Sequence, residues 1–413
     1  MGVLRALLAV LIGAAACVLP AEAAHADRAR DEMDPVLGSL DVPRAWAASR
    51  GRGVTVAVLD SGVDASQSDL AGSVVTGPDY TTGAAPSGTV PKRLHGTNMA
   101  SIIAGHGHGP GDGEGMMGVA PEARVLAVRV ILERDEPGYG TFAGDKRYEG
   151  TIARGIRYAA DHGADVVNLS LGRSYPLPAE RDAVAYAISK GVVVVAAAGN
   201  GGADRPARGG GRAAGSEGRA AGSEGRAAGG DGSAPFTYPA SFPGVISVAA
   251  VDSAGRHAGF SNRNSAVVLS APGVRIIGAG PGDQYWIGDG TSPATAFVSG
   301  IAALIRSRHP KMPPALVAQA LVEGARSRPS RGYDLGVGFG PVNAAAALDA
   351  SDSLAGARTA GLGAAPSRAV DLRSRIRVVR RPESLVVGCA VACVLALTGL
   401  ILSAIALKRR PNS

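Results

Sequence analysis

Four short segments carry residue types that together could hydrolyse an acyl bond. The first is Val56-Ala57-Val58-Leu59-Asp60-Ser61-Gly62-Val63-Asp64. Its apolar run predicts a buried strand that delivers Asp60 at its carboxyl end, where open parallel sheets place their sites. A carboxylate there can orient a histidine and stabilise its protonated form. The plain alternative is an Asp that caps the next turn. The second segment, His95-Gly96-Thr97-Asn98-Met99-Ala100-Ser101-Ile102-Ile103-Ala104-Gly105, predicts a helix of small residues opened by His95. The positive end of a helix dipole disfavours the imidazolium, and a neutral imidazole is what a general base requires. The third segment is Gly288-Asp289-Gly290-Thr291-Ser292-Pro293-Ala294-Thr295-Ala296. It predicts a helix starting near Ser292, whose hydroxyl would stand where unpaired N–H groups support negative charge. Read alone, Ser292 is an N-cap. The fourth is the strand-like run from Val192, which ends Ala198-Gly199-Asn200. An Asn200 amide there can donate to the oxyanion of a tetrahedral intermediate, with the Ser292 N–H as second donor. Alone, Gly-Asn is a common turn. The order Asp, His, Asn, Ser is far more specific than any one segment.

These residues need a scaffold, and the flanking sequence supplies one. Val54 to Leu59, Val125 to Val130, Val166 to Leu171, Val192 to Ala198 and Val245 to Val251 read as strands apolar on both faces. Helical periodicity fits Tyr148 to Asp161, Glu180 to Lys190, Thr295 to Arg308 and Pro314 to Gly324. The alternation predicts an α/β domain over about residues 42–350, with a central, mostly parallel sheet flanked by helices. Residues 201–234 interrupt it with a GRAAGSE repeat that can bury no core, so a flexible loop is expected. Of the other histidines, His106, His108, His162, His257 and His309 are expected at the surface. No metal-ligand cluster stands out, so neither cofactor nor metal is expected, and calcium has no support.

The ends differ from the body. Arg5, an apolar run from Ala6 to Leu19, and Ala24-His25-Ala26 predict a signal peptide over 1–26, cut after Ala26. A lipoprotein signal with Cys17 as acceptor is the weaker alternative. Residues 27–41 read as an N-terminal extension and 351–383 as a disordered linker. Leu385 to Leu407 carries no charge over 23 residues and predicts a membrane-spanning helix, followed by a short tail at 408–413. Five arginines from Arg373 to Arg381 precede the span and three cations follow it, so charge alone does not set the orientation. The signal peptide does, giving a single-pass protein with the body extracellular. The three cysteines, Cys17, Cys389 and Cys393, lie in the apolar ends, which excludes a disulfide framework in the body. The formal charge of +7 admits a nucleic-acid or anionic-membrane partner or a simple arginine-rich coding bias. No basic-aromatic module for nucleic acid appears, so no nucleic-acid partner is expected.

The Asp60, His95 and Ser292 segments resemble the subtilisin-like serine proteases, over about residues 42–350. The resemblance implies a three-layer α/β fold in which Asp60 orients the base, His95 is the base, Ser292 the nucleophile and Asn200 the oxyanion donor. It implies that Ser170, Leu171 and Gly172 border the primary specificity pocket and pair with extended substrate. Tyr238-Pro239-Ala240 and Ser270-Ala271-Pro272-Gly273 match further family segments. The layout is most similar to a mycosin, the type VII secretion-associated protease of actinobacteria. That implies protein or peptide substrates, a membrane anchor and a secretion-complex partner. The alternatives are a scaffold of such a complex and a housekeeping cell-surface protease. About twenty residues between Ala26 and Trp46 leave no room for a folded pro-domain. Departures from the pattern are Pro293 after the nucleophile, Ala296 where a proline is frequent, a body without Cys, and the repeat directly after Asn200.

Overall fold

The computed structural model describes residues 21–202, 234 and 236–361, with backbone alone for 21–27 and 357–361. The expected signal peptide up to residue 20, most of the expected 201–234 loop, the expected linker beyond 361 and the expected span 385–407 with its tail lie outside the described residues. Among the described residues, no helix is long and apolar enough to cross a membrane.

Seven strands form one sheet: β1 Thr55–Asp60, β2 Val74–Asp79, β5 Arg124–Arg129, β6 Val166–Leu169, β7 Val193–Ala197, β8 Ile246–Val251 and β9 Val267–Pro272. Two antiparallel hairpins complete the numbering, β3 His106–His108 with β4 Glu114–Met117, and β10 Ile276–Gly280 with β11 Gln284–Gly288. The order in the sheet is β2-β5-β1-β6-β7-β8-β9, and every pairing is parallel. Side chains alternate between its faces. In β1, Val56 and Val58 enter one core while Ala57 and Leu59 enter the other. β5 repeats this with Val125 and Ala127 against Leu126 and Val128. Strands buried on both faces need helices on both.

The helices divide accordingly. On one face lie α1 Ala21–Ser39, α3 Leu94–Ala104, α7 Thr291–Arg308, α8 Pro314–Glu323 and α9 Ala344–Gly361, with the single turn α2 Val42–Ala45 beside them. On the other lie α5 Thr151–Asp161 and α6 Pro178–Ser189. The one-turn α4 Tyr139–Gly144 sits in a satellite cluster with Tyr148 and Leu132. The expected three-layer fold is present. α7 starts at Thr291 and buries nearly its whole surface, which its Ala, Gly and Ser content permits.

Both ends of the body are packed. In the N-terminal extension, α1 buries Ala29, Met33 and Leu37, spaced at four residues on one face, in the main core. Each of the larger two is worth about 1.5–3 kcal/mol of burial. Arg30 fastens the same helix through the carbonyls of Gly115 at 2.8 Å and Asp112 at 2.8 Å. A cut after Ala26 would fall inside this helix. At the other end α9 continues to Gly361 with Ser351 fully buried, so the body extends past 350.

Candidate active site

β1 lies in the interior of the sheet and ends on Asp60, which is fully buried. Its carboxylate receives His95 Nδ1 at 2.8 and 2.9 Å and the Ser61 N–H at 2.7 Å. An ionised carboxylate only accepts, so the imidazole proton sits on Nδ1 and Nε2 is left as the basic nitrogen. His95 is the second residue of α3 and its side chain is 15% exposed. The close approach of α3 to β1 depends on Gly96, where a Cβ would run into the Gly62 carbonyl oxygen. Pairing an imidazole with a buried carboxylate stabilises the imidazolium that proton abstraction would create.

Ser292 is the second residue of α7 and is 8% exposed. Its hydroxyl donates to the Ser170 carbonyl at 3.0 Å, and the Ser170 hydroxyl donates to the Ser292 carbonyl at 3.0 Å. Ser170 is held in turn by the Asn168 amide at 3.0 Å. The β1–β6 register pairs Val58 with Asn168, so two residues on, Ser170 stands level with Asp60. The sheet thus carries the partner of Asp60 and the partner of Ser292 on adjacent strand ends.

Asn200 ends the connection from β7. Its Oδ1 accepts from the Thr291 N–H at 2.9 Å and the Thr291 hydroxyl at 2.9 Å. This commits the carbonyl end of the amide and ties Asn200 to the residue preceding Ser292. The turn needs Gly199, which has φ 102° and packs tightly on Asn262 and Thr237. Of the expected substrate-pairing residues, Ser170 is buried with its hydroxyl engaged. Gly172 packs against Thr237. Leu171 lines a cavity of about 140 Å³ together with Ile131, Tyr139, Phe142, Tyr148 and Arg173. Arg173 also pairs with the fully buried Glu180 at 3.1 Å. Burial pushes the Glu180 carboxyl up to about 7, against the lowering effect of Arg173.

Several residues of the site escaped the sequence reading. Glu133 accepts from the His95 backbone N–H at 2.9 Å and from the Ser61 hydroxyl at 2.7 Å. Asn262 braces the Asn200 turn by donating to the Ala198 carbonyl at 2.7 Å and accepting from Gly201 N–H at 2.9 Å. Of the histidines expected at the surface, His108 instead binds the buried Asp69 at 2.7 Å. His257 is half-buried, and desolvation holds its pKa below the ordinary histidine value. Among the described residues, no group of His, Cys, Asp or Glu could hold a metal ion.

Comparison with known proteins gives one family. The Subtilase family model matches residues 51–340. Thermitase from Thermoactinomyces vulgaris is 35% identical over 271 residues, covering 65% of this chain and 80% of thermitase. Subtilisin from Bacillus pumilus is 36% identical over 300 residues, covering 72% and 91%. Among solved structures, the MycP3 protease of the type VII (ESX-3) secretion system matches with a TM-score of 0.58 and 32% identity. That match covers 76% of this chain and 87% of MycP3. MycP1 from Mycobacterium smegmatis matches with a TM-score of 0.59 and 27% identity, over 76% and 84%. The chain belongs to the subtilase family and is a serine endopeptidase of the subtilisin type.

Proposed function

We propose that Asp60, His95 and Ser292 form the catalytic triad of a membrane-anchored endopeptidase that cleaves exported proteins in association with type VII secretion. The observation that carries the triad is the bond from a fully buried Asp60 to Nδ1 of His95 at 2.8 Å. In the free enzyme the Ser292 hydroxyl donates to Ser170. Substrate binding would redirect it to His95 Nε2, in keeping with catalytic hydrogen bonds that align only in the complex. Ser292 Oγ then attacks the scissile carbonyl while His95 takes its proton. Asp60 stabilises the imidazolium, and the oxyanion receives the Ser292 N–H and the Asn200 Nδ2–H. Collapse expels the amine, protonated by His95, and a water repeats the sequence on the acyl-enzyme. Ser170, Leu171 and Gly172 would border the bound peptide. The secretion role rests on the likeness to MycP3 and MycP1, whose solved structures are of secretion-system proteases. The anchor and extracellular placement rest on the apolar segments at the two ends of the sequence.

A fluorophosphonate probe applied to the full chain in its membranes tests the triad. The wild type is expected to label at Ser292 and the Ser292→Ala chain not at all. An unlabelled, folded wild type would contradict the proposal.

A further inference from the structure

The first turn of α3 has no local cap. Its N-cap residue is Arg93, which has φ 56° and makes no side-chain capping bond. The amides of His95 and Gly96 must therefore find acceptors elsewhere in the fold. The His95 N–H goes to Glu133 Oε1 at 2.9 Å, and the Gly96 N–H goes to the Ser61 hydroxyl at 3.1 Å. That hydroxyl donates to the same Glu133 oxygen at 2.7 Å, and the Ser61 N–H donates to Asp60 at 2.7 Å. One carboxylate thus joins the backbone beneath the imidazole to the residue that follows Asp60.

Glu133 is itself fixed. It is 6% exposed, and its N–H donates to Glu136 at 2.6 Å. The other oxygen of Glu136 receives Arg129 at 2.7 Å and the Lys92 N–H at 2.9 Å. A buried carboxylate that accepts two bonds through one oxygen, on a residue whose own N–H is also anchored, is held in place. Its negative charge also lies at the positive end of α3.

We infer that Glu133 is a positioning residue for peptide-bond hydrolysis, holding His95 and, through Ser61, Asp60 in register. The inference rests on the triad reading above. Glu133 touches neither substrate nor a transferring proton. It acts by denying the His95 backbone a second placement, and misplacement on the ångström scale costs on the order of 100-fold in rate.

The test uses the full chain in its membranes, turning over one peptide. Glu133→Ala is expected to lower kcat about 10- to 100-fold with KM unchanged. Glu133→Gln, whose amide oxygen can accept the same two bonds, is expected to stay within about threefold of wild type. A wild-type kcat for the Ala variant, or a Gln variant as slow as Ala, would overturn the inference. Where the Ala variant does not fold, Ser61→Ala removes only the hydroxyl link. It is expected to lose about 3- to 10-fold in kcat, and no loss would overturn the inference. Fluorophosphonate labelling of wild type reads the triad separately. If wild type fails to label, the triad is wrong. If it labels and the variants are unaffected, only the Glu133 inference fails.

Discussion

Among the described residues, two histidines hold a fully buried aspartate through Nδ1, and their surroundings differ sharply. His95 meets Asp60 at 2.8 Å, and His108 meets Asp69 at 2.7 Å. Asp60 divides its carboxylate between His95 and one backbone amide. Asp69 also receives the Met116 N–H at 3.0 Å and the Tyr285 hydroxyl at 2.8 Å, which ties the β3–β4 hairpin to β11. Burial, and then the charge of Asp69, raise the Tyr285 pKa, so the phenol stays a donor. The outer nitrogen of His108 lies 3.9 Å from a Glu114 carboxylate oxygen. His108 is thus one of three groups gathered on a single buried carboxylate, an arrangement that clasps neighbouring elements together. His95 opens a helix packed against α7, which carries Ser292 near its start. The pair alone does not make a base; the elements gathered around it decide.

The comparison breaks most easily at the aspartates. Asp60→Asn is expected to lower kcat about 10⁴-fold, the size of loss in other serine proteases that lose this carboxylate. Asp69→Asn is expected to leave kcat within about threefold while lowering unfolding stability by about 1–3 kcal/mol. Peptide turnover and urea titration of both variants give the contrast, and equal kcat losses would erase it.

The proposed oxyanion donor offers a smaller effect. Asn200→Ala is expected to reduce kcat about 10²- to 10³-fold, the size of loss when a subtilisin loses an Asn oxyanion donor. Asn200→Asp keeps the acceptor for Thr291 but removes the donor. It should fall as far as Ala if donation is the role. If holding Thr291 is the role, it should match wild type.

The smallest effect lies away from both histidines, at Glu180. Its folded pKa of about 7 exceeds the ordinary 4.5, chiefly through burial. The folded chain then binds more protons than the unfolded one between those values. Stability is therefore lost as pH rises through that window and levels off above it. Glu180→Gln should flatten this slope by about 1–3 kcal/mol. Thermal unfolding of both proteins at pH 5 and pH 8 would show it, and parallel slopes would refute it.

What the sequence disclosed follows from local against tertiary causes. β1, β5, β6, β7 and β8 were legible because central parallel strands are apolar on both faces, as Val56 to Leu59 shows. The edge strands β2 and β9 were not, since β2 exposes Val75 and contains Gly77 and Pro78. Edge strands tolerate such residues. α1 was hidden because its stripe of Ala29, Met33 and Leu37 is thin and set among charges. Asp60 and His95 were legible from their own neighbours. Glu133 was not, because Glu133-Arg134-Asp135-Glu136 reads as a solvated charge run and its partners lie 38 and 72 residues away. The Asp69–His108 bond spans 39 residues and is likewise a product of the fold.

The most direct test compares the second-order rate of fluorophosphonate reaction at Ser292 in His95→Ala and His108→Ala side by side. Reaction is expected to be abolished in His95→Ala and to proceed at the wild-type rate in a folded His108→Ala. Undiminished reaction in His95→Ala would contradict this.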